Sequence, residues 1–205
     1  MKIGLVGLGK MGINLAQNMM DHGHEVVGFD LNKDFVDQAA GFGAETATSL
    51  DDVLSKLPSP KIVWLMLPAG KPTESTIDTL VGSLSAGDYI VDGGNSFWKN
   101  SVEDAKKAEA VGINFFDCGT SGGQSGARAD GNFMIGGTSA EAFNAALKPV
   151  FEGIAQENGY LYTGAAGSGH YLKMVQTGVE YGMREAIGEG FDVLDHSQSD
   201  YSQAA

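Results

Sequence analysis

Apolar residues change their period along this chain, and each change marks an element. Residues 2–6 run almost unbroken apolar and stop at Gly7, the pattern of a buried strand. Behind it Met11, Leu15, Met19 and Met20 recur near helical spacing and Gly23 closes the run, which predicts a helix with those side chains turned to the core. Residues 25–29 (Glu-Val-Val-Gly-Phe) form a second buried strand ending at Asp30. Strand, helix and strand at this spacing make a βαβ unit.

The alternation continues. Helical periods over 33–40 and 50–57 flank a short extended piece at 45–48, and Pro58 and Pro60 punctuate. Residues 61–67 (Lys-Ile-Val-Trp-Leu-Met-Leu) are a continuous apolar run, as a central parallel strand covered on both faces requires. A helix over 73–84 leads to a strand at 88–91, and a helix over 100–111 leads to a strand at 113–117. Strands at 132–135 and 160–162, with a helix over 140–154 between them, extend the sheet at its far edge in a direction the pattern leaves open. A glycine-rich bend at 164–169 then opens a long helical segment over 170–194. The fold class is α/β: a Rossmann-type doubly wound parallel sheet with a long C-terminal helix.

The first turn of this sheet carries the first candidate chemistry, Gly7-Leu8-Gly9-Lys10-Met11-Gly12. Gly7 permits the tight turn, Gly9 lets backbone approach a pyrophosphate, and Gly12 lets the helix pack on the strand. With 30 glycines in 205 residues the spacing alone is weak, but a strand precedes it, a helix follows, and an acid stands eighteen residues beyond Gly12. The helix N-terminus then faces the phosphates with free N–H groups and a favourable dipole. Asp30 at its strand end can accept from both adenosine ribose hydroxyls and repels the extra phosphate of NADP, which favours NAD. The alternative is an Asp that caps the helix starting near Asn32, and Lys33 nearby would soften the discrimination. Ligands of a doubly wound sheet sit at the carboxyl ends of its strands, where four loops gather here: 7–12, Pro68-Ala69-Gly70, 93–96 and 120–123.

Composition narrows the partners. The formal net charge of −13 and the lack of a Lys/Arg cluster argue against nucleic acid. An anionic ligand must therefore find positive potential locally. Cys118 is the only cysteine, so no intrachain disulfide forms and a reducing, cytoplasmic compartment is expected, with Cys118 as inert packing. No signal peptide and no membrane-spanning run is present, and the four histidines, His22, His24, His170 and His196, lack metal-ligand spacing. They read as surface or capping residues, and no metal is expected.

On the last helix Lys173, Gln176, Thr177 and Glu180 stand at i, i+3, i+4 and i+7 on one face. Either this is a solvated face with a Lys-to-Glu pair, or the glycine bend brings it to the crevice. In the second case a lysine whose pKa is lowered by burial serves as general base and a nearby glutamic acid as proton donor. Leu172, Val175, Val179, Met183, Ile187 and Leu194 form an apolar side without a visible partner, which predicts pairing with a second copy as a homodimer or higher oligomer.

These motifs resemble 6-phosphogluconate dehydrogenase, decarboxylating, within the wider β-hydroxyacid dehydrogenases. The resemblance rests on the glycine loop at 7–12, Leu-Pro-Ala-Gly at 67–70, Asp-Gly-Gly-Asn-Ser-Phe-Trp at 92–98, Gly-Thr-Ser-Gly-Gly at 119–123, and Lys-Met-Val followed by Gly-Val-Glu-Tyr-Gly-Met within 173–183. It implies NAD-linked oxidative decarboxylation of 6-phosphogluconate, a sugar-acid phosphate, to ribulose 5-phosphate. Lys173 would take the C3 hydroxyl proton and Glu180 would protonate the enediol. Asn95, Ser121, Gly122, Gly123, Gln176, Thr177 and Tyr181 would position substrate, with Tyr181 reaching the phosphate. Gly7, Leu8, Gly9, Lys10, Met11, Gly12, Asp30, Leu67, Pro68, Ala69 and Asn95 would hold NAD. Asp30 resembles the short NAD-linked branch, because NADP-linked members carry an Asn-Arg-Ser/Thr reader that Leu31-Asn32-Lys33 does not reproduce.

The resemblance also implies a domain division, with a dinucleotide-binding domain over 1–165 and the start of an interdomain helix over 166–205. The family's all-helical C-terminal domain is absent from these residues. Two departures support an alternative, an NAD-binding module without turnover: that absence, and Gln176 and Thr177 where the family carries His and Asn. A dehydrogenase of another β-hydroxyacid is the third reading.

Overall fold

The computed structural model describes residues 1–199 and 201, the side chain of Asp130 apart, so the end of the expected second segment lies outside the described residues. β1 (Lys2–Val6), α1 (Lys10–Asp21) and β2 (Glu25–Phe29) build the βαβ unit. They are followed by α2 (Lys33–Gly41), β3 (Glu45–Thr46), α3 (Leu50–Lys56) and β4 (Ile62–Leu65), then by α4 (Lys71–Ser83), β5 (Tyr89–Asp92), α5 (Trp98–Glu109) and β6 (Asn114–Ser121). A short α6 (Gly123–Ser125) runs into a π-helical turn, Gly126–Asp130, before β7 (Gly131–Gly137). α7 (Ala140–Ala142), a second π-helical turn (Phe143–Leu147) and α8 (Lys148–Ile154) precede β8 (Ala155–Gly164) and α9 (Ser168–Asp195).

The strands form one sheet in the order β3-β2-β1-β4-β5-β6-β7-β8. The first six are parallel, β7 runs antiparallel to β6, and β8 runs parallel to β7. The chain reverses its direction of growth beside β1, so the switch point lies between β1 and β4, where a crevice opens at the strands' carboxyl ends.

The strands are apolar at successive positions because both faces are covered. Phe115 packs with Val63, Ile77, Leu80 and Ala105 beneath α4 and α5, while its neighbour Phe116 packs with Trp64, Phe143 and Phe151 on the opposite face. That second layer joins distant parts of the chain: the Trp64 and Phe151 rings lie 5.2 Å apart, and the buried Asn18 amide on α1 donates to the carbonyls of Ala127 and Ile154 at 3.1 and 2.9 Å. Those two bonds satisfy the donors of the buried amide, which offsets part of the cost of burying it.

Several boundaries differ from the pattern. The apolar run 61–67 is strand only over Ile62–Leu65, and Met66 and Leu67 line the crevice instead. The strand expected at 113–117 continues to Ser121, because β7 supplies antiparallel partners as far as Thr120↔Phe133 and Ser121↔Asn132. Glycine-rich sequence there signals a turn, yet ladder partners on the next strand override it. β8 extends well beyond 160–162, and the helix expected over 140–154 is broken by its π-helical turn. Leu15 and Met19 are buried as expected, whereas Met11 is only half-buried and faces the crevice.

Candidate active site

The crevice has two connected parts. The larger, about 720 Å³, lies over the ends of β1, β2 and β4. Gly7 leaves β1 with φ of +95°, and a Cβ on Gly12 would collide with the Gly7 carbonyl oxygen, so the loop can press α1 against the strand only with glycine there. Around Gly9 nothing lies within 4 Å of a Cβ position, so backbone faces open cleft. The first turn of α1 has no side-chain cap and no acidic residue. Its free N–H groups and the dipole behind them therefore offer an anion site.

Asp30 faces the same space. Its Oδ2 accepts from the Leu8 amide at 2.7 Å and its Oδ1 from the Asn32 amide at 2.8 Å. α2 is capped by Asn32, which accepts from the Asp34 amide, so Asp30 is not the cap. Lys33 is drawn to both carboxylate oxygens of Asp37, at 2.5 and 2.6 Å. Leu67 and Pro68 line the cleft, Ala69 is exposed off its wall, and Leu8 is buried and contributes only its amide.

The smaller part, about 390 Å³, shares Met11, Met66 and Leu67 with the first. Its walls come from three distant places: Gly93, Gly94 and Asn95 after β5, Thr120 and Gly123 around the end of β6, and Lys173, Thr177 and Tyr181 on α9. Lys173 Nζ donates to the Thr120 carbonyl at 3.0 Å. Burial disfavours its charge and holds its pKa below the ordinary lysine value, against the opposing pull of the Glu180 carboxylate. Gln176 bridges its neighbours, accepting from the Ser121 hydroxyl at 3.4 Å and donating to Glu180 Oε2 at 3.1 Å. Glu180 also pairs with Arg184, one turn on, rather than with Lys173. Ser121, Gly122, Gln176 and Glu180 stand beside the cavity wall rather than on it.

The expectation of surface histidines fails at His170. It is buried in α9, and its Nδ1 lies 2.8 Å from the Ser101 hydroxyl on α5 and 4.0 Å from Asp117 Oδ2 on β6. Asp117 in turn accepts from the amides of Gly167 and His170, at 2.6 and 2.7 Å, and so caps the first turn of α9. Burial raises the Asp117 pKa, against the His170 charge and the amide bonds. A carboxylate inside the run Phe115-Phe116-Asp117-Cys118 is the signal that could have found this cluster, since a charge in a doubly covered strand needs donors nearby. Cys118 is fully buried, which pushes its thiol pKa up and leaves it inert. Among the described residues no cluster of His, Cys, Asp and Glu could hold a metal ion, and no helix is long and apolar enough to cross a membrane.

Residues 2–165 match the family model described as the NAD binding domain of 6-phosphogluconate dehydrogenase. The chain is 48% identical over 201 residues to a provisionally named 6-phosphogluconate dehydrogenase of Bacillus subtilis, covering 98% of this chain and 67% of that protein. It is 44% identical over 201 residues to the NAD(+)-dependent, decarboxylating 6-phosphogluconate dehydrogenase of Haloferax volcanii, covering 98% of this chain and 66% of that one. The fold superposes on a solved Plasmodium falciparum 6-phosphogluconate dehydrogenase with a TM-score of 0.89 at 28% identity, over 96% of this chain and 44% of that chain. The chain thus spans about two thirds of the length of the two curated relatives.

Proposed function

Since the chain belongs to the 6-phosphogluconate dehydrogenase family, as an NAD-binding Rossmann domain, we propose that it takes part in NAD-linked oxidative decarboxylation of 6-phosphogluconate to ribulose 5-phosphate. The observation that carries this reading is the placement of Lys173 in the cavity that adjoins the dinucleotide cleft. The open backbone at Gly9, the uncapped start of α1 and the Asp30 carboxylate fit a dinucleotide. In that role the α1 amides would take the pyrophosphate and Asp30 the adenosine ribose hydroxyls. When bound, the nicotinamide supplies the hydride acceptor.

Lys173, whose charged form burial disfavours, takes the proton of the substrate's C3 hydroxyl in its neutral form as that carbon is oxidised. The resulting β-keto acid loses carbon dioxide because the ketone accepts the electron pair of the breaking C–C bond. Glu180, held by Gln176, then delivers a proton to the enediol carbon. Asn95, Ser121, Gly122, Gly123 and Thr177 orient the sugar acid, and Tyr181, 63% exposed, reaches for its phosphate. Preference for NAD follows from Asp30, and the pairing of Lys33 with Asp37 draws toward α2 the cation that would soften it. The exposed apolar residues Val179, Met183 and Ile187 are where a second copy would pair, and light scattering at micromolar concentration tests this.

The test of function is NADH formation from 6-phosphogluconate by purified protein beside Lys173→Met. Turnover that disappears with the lysine supports the reaction. NADH binding without turnover favours the second reading, a dinucleotide-binding module, which the Arg184 pair on Glu180 and the exposure of Tyr181 motivate.

A further inference from the structure

We infer that Asp117, His170 and Ser101 form a buried positioning unit that sets Lys173 and fixes the three walls of the substrate cavity relative to one another. Each member belongs to a different wall-bearing element. Ser101 lies in α5, behind the loop that carries Asn95, Asp117 lies in β6, ahead of Thr120 and Gly123, and His170 lies in α9, one turn before Lys173. The side chains of Asp117 and His170 are 0% and 1% exposed. The unit is no nucleophilic triad, because Ser101 is fully buried and the same ring nitrogen, Nδ1, faces both the hydroxyl and the carboxylate.

Its geometry acts on Lys173 directly. The Asp117 carboxylate takes two amides that the start of α9 would otherwise leave unpaired, and thereby fixes where that helix begins and how it is rotated. The surrounding packing leaves no slack: a Cβ on Gly169 would stand 2.7 Å from the Asp117 carbonyl oxygen, and one on Gly119 would collide with Lys173 Cβ. The Ser101–His170 bond then ties α5 to the same turn across 69 residues of chain.

The inference rests on the reading of Lys173 as the base, but its test needs no turnover. The titration of Lys173 is followed by NMR in the full chain, assigned against Lys173→Arg, and NADH affinity is followed by fluorescence. His170→Ala and Ser101→Ala should each move the lysine titration up toward the ordinary range by about one pH unit as the helix start loosens and water enters. His170→Asn, which keeps a hydrogen-bonding atom near the Nδ1 position, should restore most of that shift. NADH affinity should stay within about twofold throughout, because Gly9 and Asp30 lie on other elements. An unmoved lysine titration in folded His170→Ala and Ser101→Ala overturns the proposal, as does an equal loss of NADH affinity or no restoration by asparagine. If His170→Ala does not fold, Ser101→Ala, which removes one hydroxyl, decides alone. Failure of the wild type to oxidise 6-phosphogluconate would count against the reaction and leave this result standing.

Discussion

The two halves of the crevice are built in different ways. The dinucleotide half takes its glycine loop and its carboxylate from one βαβ unit, and its defining contact, Leu8 amide to Asp30, spans 22 residues. The substrate half is assembled by contacts across 53, 55 and 69 residues, from Lys173 to Thr120, Gln176 to Ser121 and His170 to Ser101. Under the proposed function, the cofactor would be met by local backbone geometry and the substrate by side chains brought together over long stretches of chain. In that reading the second half depends on helix α9 being held at its first turn.

Substitutions can break this comparison or sharpen it. The largest effect is expected from Lys173→Met, which should lower turnover by about 10² to 10⁴ while NADH affinity, read by fluorescence, changes less than about twofold. A parallel loss of both would show that the halves are not separable. Gly12→Ala should do the reverse and weaken NADH binding by roughly 100-fold, because the added methyl collides with backbone. Asp30→Ala should weaken NADH binding by about 10- to 100-fold, from the ~1.5–3 kcal/mol of a charged hydrogen bond, and narrow the preference over NADPH in competition binding.

The pH profile separates the halves without mutation. If Lys173 is the base proposed, it acts when neutral, and because burial lowers its pKa turnover should rise with pH through a midpoint below that of an ordinary lysine. NADH binding should show no step there, and a shared midpoint would tie the two sites together. The smallest effect is expected of Lys33→Ala, an exposed ion-pair partner worth ~0.2–1 kcal/mol, which should change NADPH affinity by less than about fivefold.

The same contrast explains what the sequence made legible. The glycine loop, the strand that ends at Asp30 and the alternation that yields a doubly wound sheet are local signals, and the structure has them at the expected residues. The face carrying Lys173, Gln176, Thr177 and Glu180 was legible as a face, but not what it meets, since Glu180 turns to Arg184 and Gln176 while Lys173 turns to a carbonyl on β6. Asp117 and His170 stayed hidden because an isolated histidine on a helix reads as surface and a strand-end aspartate as a stop. Only the fold brings the two together. The end of β6 was misplaced for the same reason, as its last ladder partners come from β7.

Locality of recognition does not make the dinucleotide half divisible. The Trp64 ring lies tilted against Phe151, and Asn18 on α1 hangs from the carbonyls of Ala127 and Ile154. The layer that covers α1 therefore reaches to the end of α8. A fragment cut after β5 would keep the glycine loop and Asp30, yet strip α1 of the cover given by α6, the π-helical turn behind it and α8.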